Sequence, residues 1–431
     1  MKIILDAWFD NNFGDDLFIN TVLNRYPEDE FYVFWERVHP AVLDQAKAYS
    51  RLKILPGNCS MMENMAFDGY IQVGGDVYMN WGDYSRRIRT MRAVKKAGGF
   101  VALLGFSLYE TYCEETKADL RTMMGLADVI VVRDSTSAQR LKTIAPDVSI
   151  INSSDMAFAG EYCKPEKTDR EVLGIAPRRK YMAKDEDHSA YCEAMAVIAD
   201  GWLANHPQGT ARFLALSTGD FDDIAVSREI MGMMQHGQRA EVVGYDGDMD
   251  AFVAAMGGCS AMLPTRFHAL VFALMFGIPF VPVTYEVKLN QLLDELGDTA
   301  LRLPYGQKIS DSAIAEAVAQ LDAARTDSAA LEAYSQKSRL FFEKTDALIA
   351  KARANEDSAE EPRAFVCHRM TQLKELQAKY DIVAHEAEML AKDKEIITNY
   401  YYDLLAKSNS FKGLAYLFAK KIFNMLKRGK A

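Results

Sequence analysis

Residues 2–25 read KIILDAWFDNNFGDDLFINTVLNR: an apolar run, a polar turn from Asn11, then a helix-like stretch from Asp15 to Arg25. The same alternation recurs outward from it. Short β-like runs follow at EFYVFWE from Glu30, GYIQVGG from Gly69, GFVALLGFS from Gly99, DVIVVRD from Asp128 and SIINSSD from Ser149. Helix-like stretches lie between them at 83–97, 115–126 and 135–144. Strands alternating with helices predict a parallel sheet covered by helices, so residues 1–165 read as a Rossmann-like, doubly wound domain.

A second series begins near Glu171: VLGIAP from Val172, a helical pattern over 189–205, ARFLALST from Ala211, RAEVVGY from Arg239, SAMLPT from Ser260, a helix over 268–276 and IPFVPVTY from Ile278. Polar residues 164–170 form the linker, and residues 170–355 read as a second Rossmann-like domain with trailing helices over 311–326 and 328–354. Two such halves facing across a cleft, with strand carboxyl ends lining it, give a GT-B-like arrangement. Residues 362–431 form a helical extension. From Leu373 to Leu404, near-apolar residues recur at heptad spacing, which fits a coiled coil that joins copies of the chain or one helix packed on its own body. The terminal stretch FKGLAYLFAKKIFNMLKRGKA (411–431) carries six Lys or Arg and no acid. On a helix its apolar residues share one face, as in a segment lying on an anionic membrane; docking on the acidic remainder of the chain is the other reading.

The 431 residues are 49% hydrophobic and 26% charged, which excludes global disorder and a single small module. A net charge of -10 argues against a general nucleic-acid binder. No run approaches the ~18 apolar residues of a membrane span, and the start is no signal peptide, so a cytoplasmic chain is expected. The six cysteines lack any CxxC pair and read as reduced thiols. His39, His188, His206, His236, His368 and His385 show no metal-ligand spacing and read as surface residues, and the methionines read as core filling. No GxGxxG or P-loop occurs, so neither NAD nor a Walker-type nucleotide site is supported. Ser107 lacks the GxSxG elbow of a hydrolase.

Polar residues at strand ends are the candidate site. After the first strand, Gly14 permits a tight turn, and Asp15 or Asp16 could cap the following helix. Gly74 and Gly75 would let a ligand approach the backbone. Arg133 ends a buried strand and could present a planar fork to a carboxylate or phosphate, or pair with Asp134. Arg266 and His268 stand between a strand and an apolar helix, and Tyr285 and Lys288 return to the same cleft one turn after the next strand. Arg133, Arg266 and Lys288 together ask for a compact anionic substrate.

Taken in order, NxGD (Asn12, Gly14, Asp15, with Asp16), the double glycine (Gly74, Gly75), RDxxS (Arg133, Asp134, Ser137), DxAF (Asp155 to Phe158), RxHAL (Arg266 to Leu270), GIP (Gly277 to Pro279) and YxxK (Tyr285, Lys288) resemble the polysaccharide pyruvyltransferase family. The family's usual third glycine is Asp76 here, and Met156 stands where proline is common. The resemblance implies transfer of the enolpyruvyl group of phosphoenolpyruvate to two sugar hydroxyls, closing a pyruvate ketal on a surface glycan. It places Arg133, Arg266, Phe267, His268, Tyr285 and Lys288 around the donor, with His268 as general acid/base and Lys288 steadying the leaving phosphate. Asp15 and Asp155 would orient or deprotonate the acceptor, with Asn12, Gly14, Asp16, Gly74 and Gly75 on the acceptor side. It needs no cofactor or metal. Such acceptors are often lipid-linked, which would give residues 411–431 a purpose as a peripheral anchor at the cytoplasmic face. Two other readings stand beside it: a GT-B glycosyltransferase using a nucleotide-sugar, and a membrane-tethered scaffold without catalysis.

Overall fold

A computed structural model describes residues 1–34, 49, 51–55, 67–79, 84–160, 162, 171–180, 183–218, 223–285, 287–323 and 329–358. The heptad and basic stretches at 373–404 and 411–431 lie outside the described residues.

Strands β1 (Lys2–Asp6), β2 (Glu30–Phe34), β3 (Leu52–Leu55), β4 (Gly69–Val73), β5 (Phe100–Phe106), β6 (Val129–Val132) and β7 (Ile151–Asn152) form one parallel sheet in the order β3-β2-β1-β4-β5-β6-β7. Both faces of β4, β5 and β6 are buried, which is why these runs are apolar throughout rather than alternating. Helices α1 (Phe13–Arg25), α2 (Ser85–Lys96), α3 (Glu114–Leu126) and α4 (Ser135–Ile144) supply the crossovers. The strand order reverses between β1 and β4, so their carboxyl ends open a crevice.

The second sheet is parallel too, in the order β10-β9-β8-β11, from β8 (Val172–Ala176), β9 (Thr210–Ala215), β10 (Ala240–Gly244) and β11 (Ala261–Pro264). Its helices are α5 (Asp185–Asn205), α6 (Asp223–Met233), α7 (Met249–Gly257), α8 (Phe267–Phe276), α9 (Val287–Glu295) and α10 (Asp311–Asp322). IPFVPVTY does not join that sheet as a full strand. Phe280 makes a single bridge to Met262, and only Val283–Thr284 (β12) is extended in a ladder, paired with Leu303–Pro304 (β13). Pro279 and Pro282 have no N–H to donate, which breaks the run into pieces.

The trailing helices α11 (Ala329–Lys337) and α12 (Leu340–Ser358) correct the grouping read from sequence. Phe341, Phe342 and Ile349 are buried in the core of the first sheet, with Leu5, Ala102 and Val131, rather than in that of the second. Arg353 donates to Asp29 at 2.7 Å, and Asp346 accepts from Arg25 and Tyr26, so the end of the second half is tied back across the first. The loop after β1 makes the opposite journey. Asn11, with φ 55°, turns the chain so that Asn12 bridges Ser217 and the Phe13 amide donates to Leu216 O at 2.9 Å. The Phe13 ring then packs against Tyr245, Phe252 and Phe272 at centroid distances of 5.1–5.5 Å. Burying such a ring contributes roughly 1.5–3 kcal/mol. The two halves are thereby joined directly beside the strand ends.

Candidate active site

Asn12, not Asp15 or Asp16, caps α1: its side chain accepts from the Gly14 amide at 3.0 Å. That leaves the two aspartates free for other partners. Asp16 is 1% exposed and accepts from Tyr245 of the second half at 2.9 Å and from Tyr49. Burial lifts its pKa to about 7 despite these two hydroxyls, so Asp16 is a component of the junction between the halves and not a group presented to an acceptor. Burial, with the like charges of Asp10, Asp16 and Asp76, also raises the pKa of Asp15 above its ordinary value, against the pull of Lys288.

The strand ends of the first sheet meet those of the second around one carboxylate. Asp76, directly after the double glycine, accepts from Lys288 Nζ at 2.8 Å and from Arg133 at 3.3 Å. Although burial opposes it, Lys288, Arg133 and Arg178 together hold its pKa below the ordinary range. Arg133 further donates to Ser107 Oγ at 2.7 Å and to Asp155 at 3.3 Å, and its guanidinium lies 4.9 Å over the Phe267 ring. Lys288 stands 6.0 Å from the same ring, so Phe267 is a floor for both cations. A Cβ at Gly75 would lie 2.3 Å from Arg133 Nη1, so a side chain there would push the guanidinium out of this position. Asp134 does not take the arginine. It caps α4 through the Ser137 amide at 2.6 Å and accepts from Ser107, which leaves Arg133 to face the crevice among Ser107, Phe267, Lys288 and Tyr334.

His268, in the first turn of α8, lies against this cluster. Its Nε2 is 3.6 Å from an Asp155 oxygen, too long for a hydrogen bond and within ion-pair reach when the ring is protonated. Nδ1 sits over Gly14, where a Cβ would come within 2.1 Å, so α1 and α8 can cross here only without a side chain. Asp155 is fully buried and accepts from the Ala157 amide at 3.0 Å. Burial pushes its pKa up, and His268, Arg133 and that amide more than reverse this, so the carboxyl stays charged. Asp155 thus faces the imidazole across 3.6 Å from a fully buried position.

Arg266 is not in the cluster as expected. Its guanidinium makes two bonds to Asp223, at 2.8 and 2.5 Å, with both side chains buried. Tyr285 packs with Arg178 5.2 Å over its ring. Gly74 adopts φ 131° ahead of Asp76. Four contributors were absent from the sequence reading or set aside by it. From sequence, Ser107 reads only as a nucleophile without its elbow, and Asp76 only as a departure from glycine. Arg178 follows β8 as Arg133 follows β6, a strand-end position that could have signalled it. Asp223 opens a helix whose pattern was not recognised, 43 residues from its arginine.

Comparison with known proteins fits both architecture and motifs. Among solved structures, the chain is similar to a Listeria monocytogenes protein described as a UDP-N-acetylglucosamine 2-epimerase (TM-score 0.52, 12% identity, 84% of this chain and 98% of the other). It is also similar to S. aureus MnaA bound to UDP (0.50, 12%, 78% and 90%) and to the Methanocaldococcus jannaschii UDP-GlcNAc 2-epimerase (0.50, 11%, 79% and 97%). At these identities the likeness establishes the GT-B fold alone. No curated protein matches the chain significantly. The family model described as polysaccharide pyruvyl transferase matches residues 3–287, a span that begins in β1 and ends at the helix carrying Lys288. The chain therefore belongs to the polysaccharide pyruvyl transferase family and is a transferase.

Proposed function

We propose that the protein transfers the enolpyruvyl group of phosphoenolpyruvate onto two hydroxyls of one sugar in a lipid-linked surface glycan, forming a pyruvate ketal at the cytoplasmic face of the membrane. The observation that carries the reading is the convergence of Arg133 and Lys288 on the Asp76 carboxylate, beside His268 and over Phe267. Asp76 is 39% exposed at its side chain and marks an anion seat that the donor would take over. Arg133 would then hold the donor carboxylate or phosphate as a fork and Lys288 the phosphate.

In the proposed reaction a proton from His268 adds to the methylene carbon, leaving an oxocarbenium-like centre at C2. One sugar hydroxyl adds there and gives its proton back to His268, and the second hydroxyl displaces inorganic phosphate, which leaves with that hydroxyl's proton as the ring closes. Asp155 supports the imidazolium form of His268, as a buried carboxylate beside a histidine does elsewhere. Asp15, at the start of α1 beside Asp76 and Lys288, orients an acceptor hydroxyl. Arg266, locked to Asp223, supports α8 from behind and does not touch the donor.

The test is incubation of the full chain with labelled phosphoenolpyruvate and a panel of lipid-linked sugars, following phosphate release and product mass. A mass gain from the donor is expected, together with a loss of about 10²–10⁴ in kcat for His268→Gln. Turnover that saturates with a nucleotide-sugar and ignores phosphoenolpyruvate overturns the reading. The basic segment 411–431 is proposed as the membrane contact. Removing it should release the protein from anionic vesicles while turnover on a soluble acceptor persists; vesicle binding unchanged by the deletion would refute that role.

A further inference from the structure

The sequence reading leaves His188 on the surface; the fold buries it, 4% exposed. On α5 it lies one turn before Cys192, also buried, and Glu229 of α6 reaches the same point from the solvent side. His188 Nε2 is 3.0 Å from a Glu229 carboxylate oxygen and 3.6 Å from Cys192 Sγ, and the three ligand atoms all lie within 4.8 Å of one another. Tetrahedral zinc, with bonds of about 2.0–2.2 Å to nitrogen and oxygen and about 2.3 Å to thiolate, sets N···O and N···S edges near 3.3 and 3.6 Å. Two edges of such a site are already close to these lengths. Cys192 Sγ is also 4.0 Å from Nδ1, so it lies beside the ring, and the Cys192 side chain must turn toward Nε2 and the exposed Glu229 shift for the three to face one ion. The other imidazole nitrogen, Nδ1, is 3.0 Å from Tyr305 Oη, the kind of outer partner that orients a metal-bound histidine.

We propose that His188, Cys192 and Glu229 form a metal site separate from the Arg133 crevice, binding one divalent cation of the zinc class with a water completing the tetrahedron. One imidazole, one thiolate and one carboxylate suit zinc and exclude magnesium or calcium, which take oxygen ligands. On binding, the Cys192 S–H bond is exchanged for sulfur–metal bonding and its proton passes to solvent. His188 gives Nε2 to the metal and carries its proton on Nδ1, donated to Tyr305, whose own hydrogen turns away. The ion braces α5 against α6. Through Tyr305, which stacks on Tyr191 at 4.3 Å, it also steadies the hydroxyl pair of Tyr191 and Thr265 directly before Arg266. The proposal is independent of the pyruvyl-transfer reading.

Full-length protein stripped with a chelator is titrated with Zn²⁺ alone and with Co²⁺ alone. Uptake of about one equivalent is expected. The Co²⁺ form should show a near-ultraviolet thiolate charge-transfer band that Cys192→Ser removes. Tyr305→Phe, which keeps the stacked ring, should weaken affinity by about tenfold. Glu229→Gln, at an exposed position, should abolish the rise in Tm that Zn²⁺ confers on the wild type, and it decides the matter if Cys192→Ser does not fold. No stoichiometric uptake, a band that survives Cys192→Ser, or a Zn²⁺-dependent Tm shift unaltered in Glu229→Gln overturns the proposal.

Discussion

Arg133 and Arg266 stand at equivalent places in the two halves, each just past the carboxyl end of a parallel strand, and they are nearly equally buried, at 4% and 5% exposure. Their partners differ. Arg266 gives two short bonds to one buried carboxylate, Asp223, which also accepts from the Ser217 amide at 3.0 Å. Arg133 divides its donors among Ser107, Asp155 and Asp76, two of them at 3.3 Å, and shares Asp76 with Lys288. A buried arginine with a closed bidentate pair is a strut, because removing either partner strands a charge. An arginine held by long, shared contacts can change partner when a better anion arrives. Burial alone does not separate the two roles; the geometry of the partners does.

The comparison breaks first at Arg266. Arg266→Leu should lower unfolding free energy by about 3–5 kcal/mol in urea titration, since Asp223 is left buried and unpaired, and adding Asp223→Leu should recover most of the loss. A single variant that keeps its stability and loses only donor affinity would make Arg266 a ligand after all. At the junction of the halves, Asp16 tests the electrostatics of burial. Its folded pKa of about 7 lies above the unfolded value, so its contribution to stability is full below about pH 4 and is lost as pH rises through about 7. Asp16→Asn should remove that decline, measured as Tm against pH, and a wild-type profile identical to that of the variant would contradict the assignment.

For the strand-end cluster the expected effects are smaller and fall on KM. Arg133→Lys keeps the charge but not the fork, and should raise KM for phosphoenolpyruvate by about 10- to 100-fold, the worth of one charge-assisted hydrogen bond, with less destabilisation than Arg266→Leu. Asp76→Asn should lower that KM by roughly threefold, because the internal carboxylate no longer competes for Arg133 and Lys288. A raised KM would instead make Asp76 part of the donor seat.

Local pattern carried much of the architecture. β4, β5 and β6 are legible because strands buried on both faces must be apolar throughout, and α4 because its cap and start are written in Asp134 to Ser137. β3 and helices α6 and α7 are not legible: the first is four residues long, and the helices, at 11 and 9 residues, are short and not clearly striped. The motifs point Arg133, Arg266, His268 and Lys288 toward a donor, but not to the protein groups each one takes, such as Asp76 and Asp223.

By itself, the sequence determined the parallel α/β plan, the family pattern and the strand-end residues, since each depends on neighbours within a turn or a strand. The tertiary structure alone decided that Lys288 meets Asp76 across 212 residues, that Asp223 claims Arg266, that α12 returns to the first sheet, and that His188, Cys192 and Glu229 converge. The reason is physical: a buried charge takes whichever opposite charge or polar atom the packing brings within about 3 Å, and packing distance is unrelated to distance along the chain.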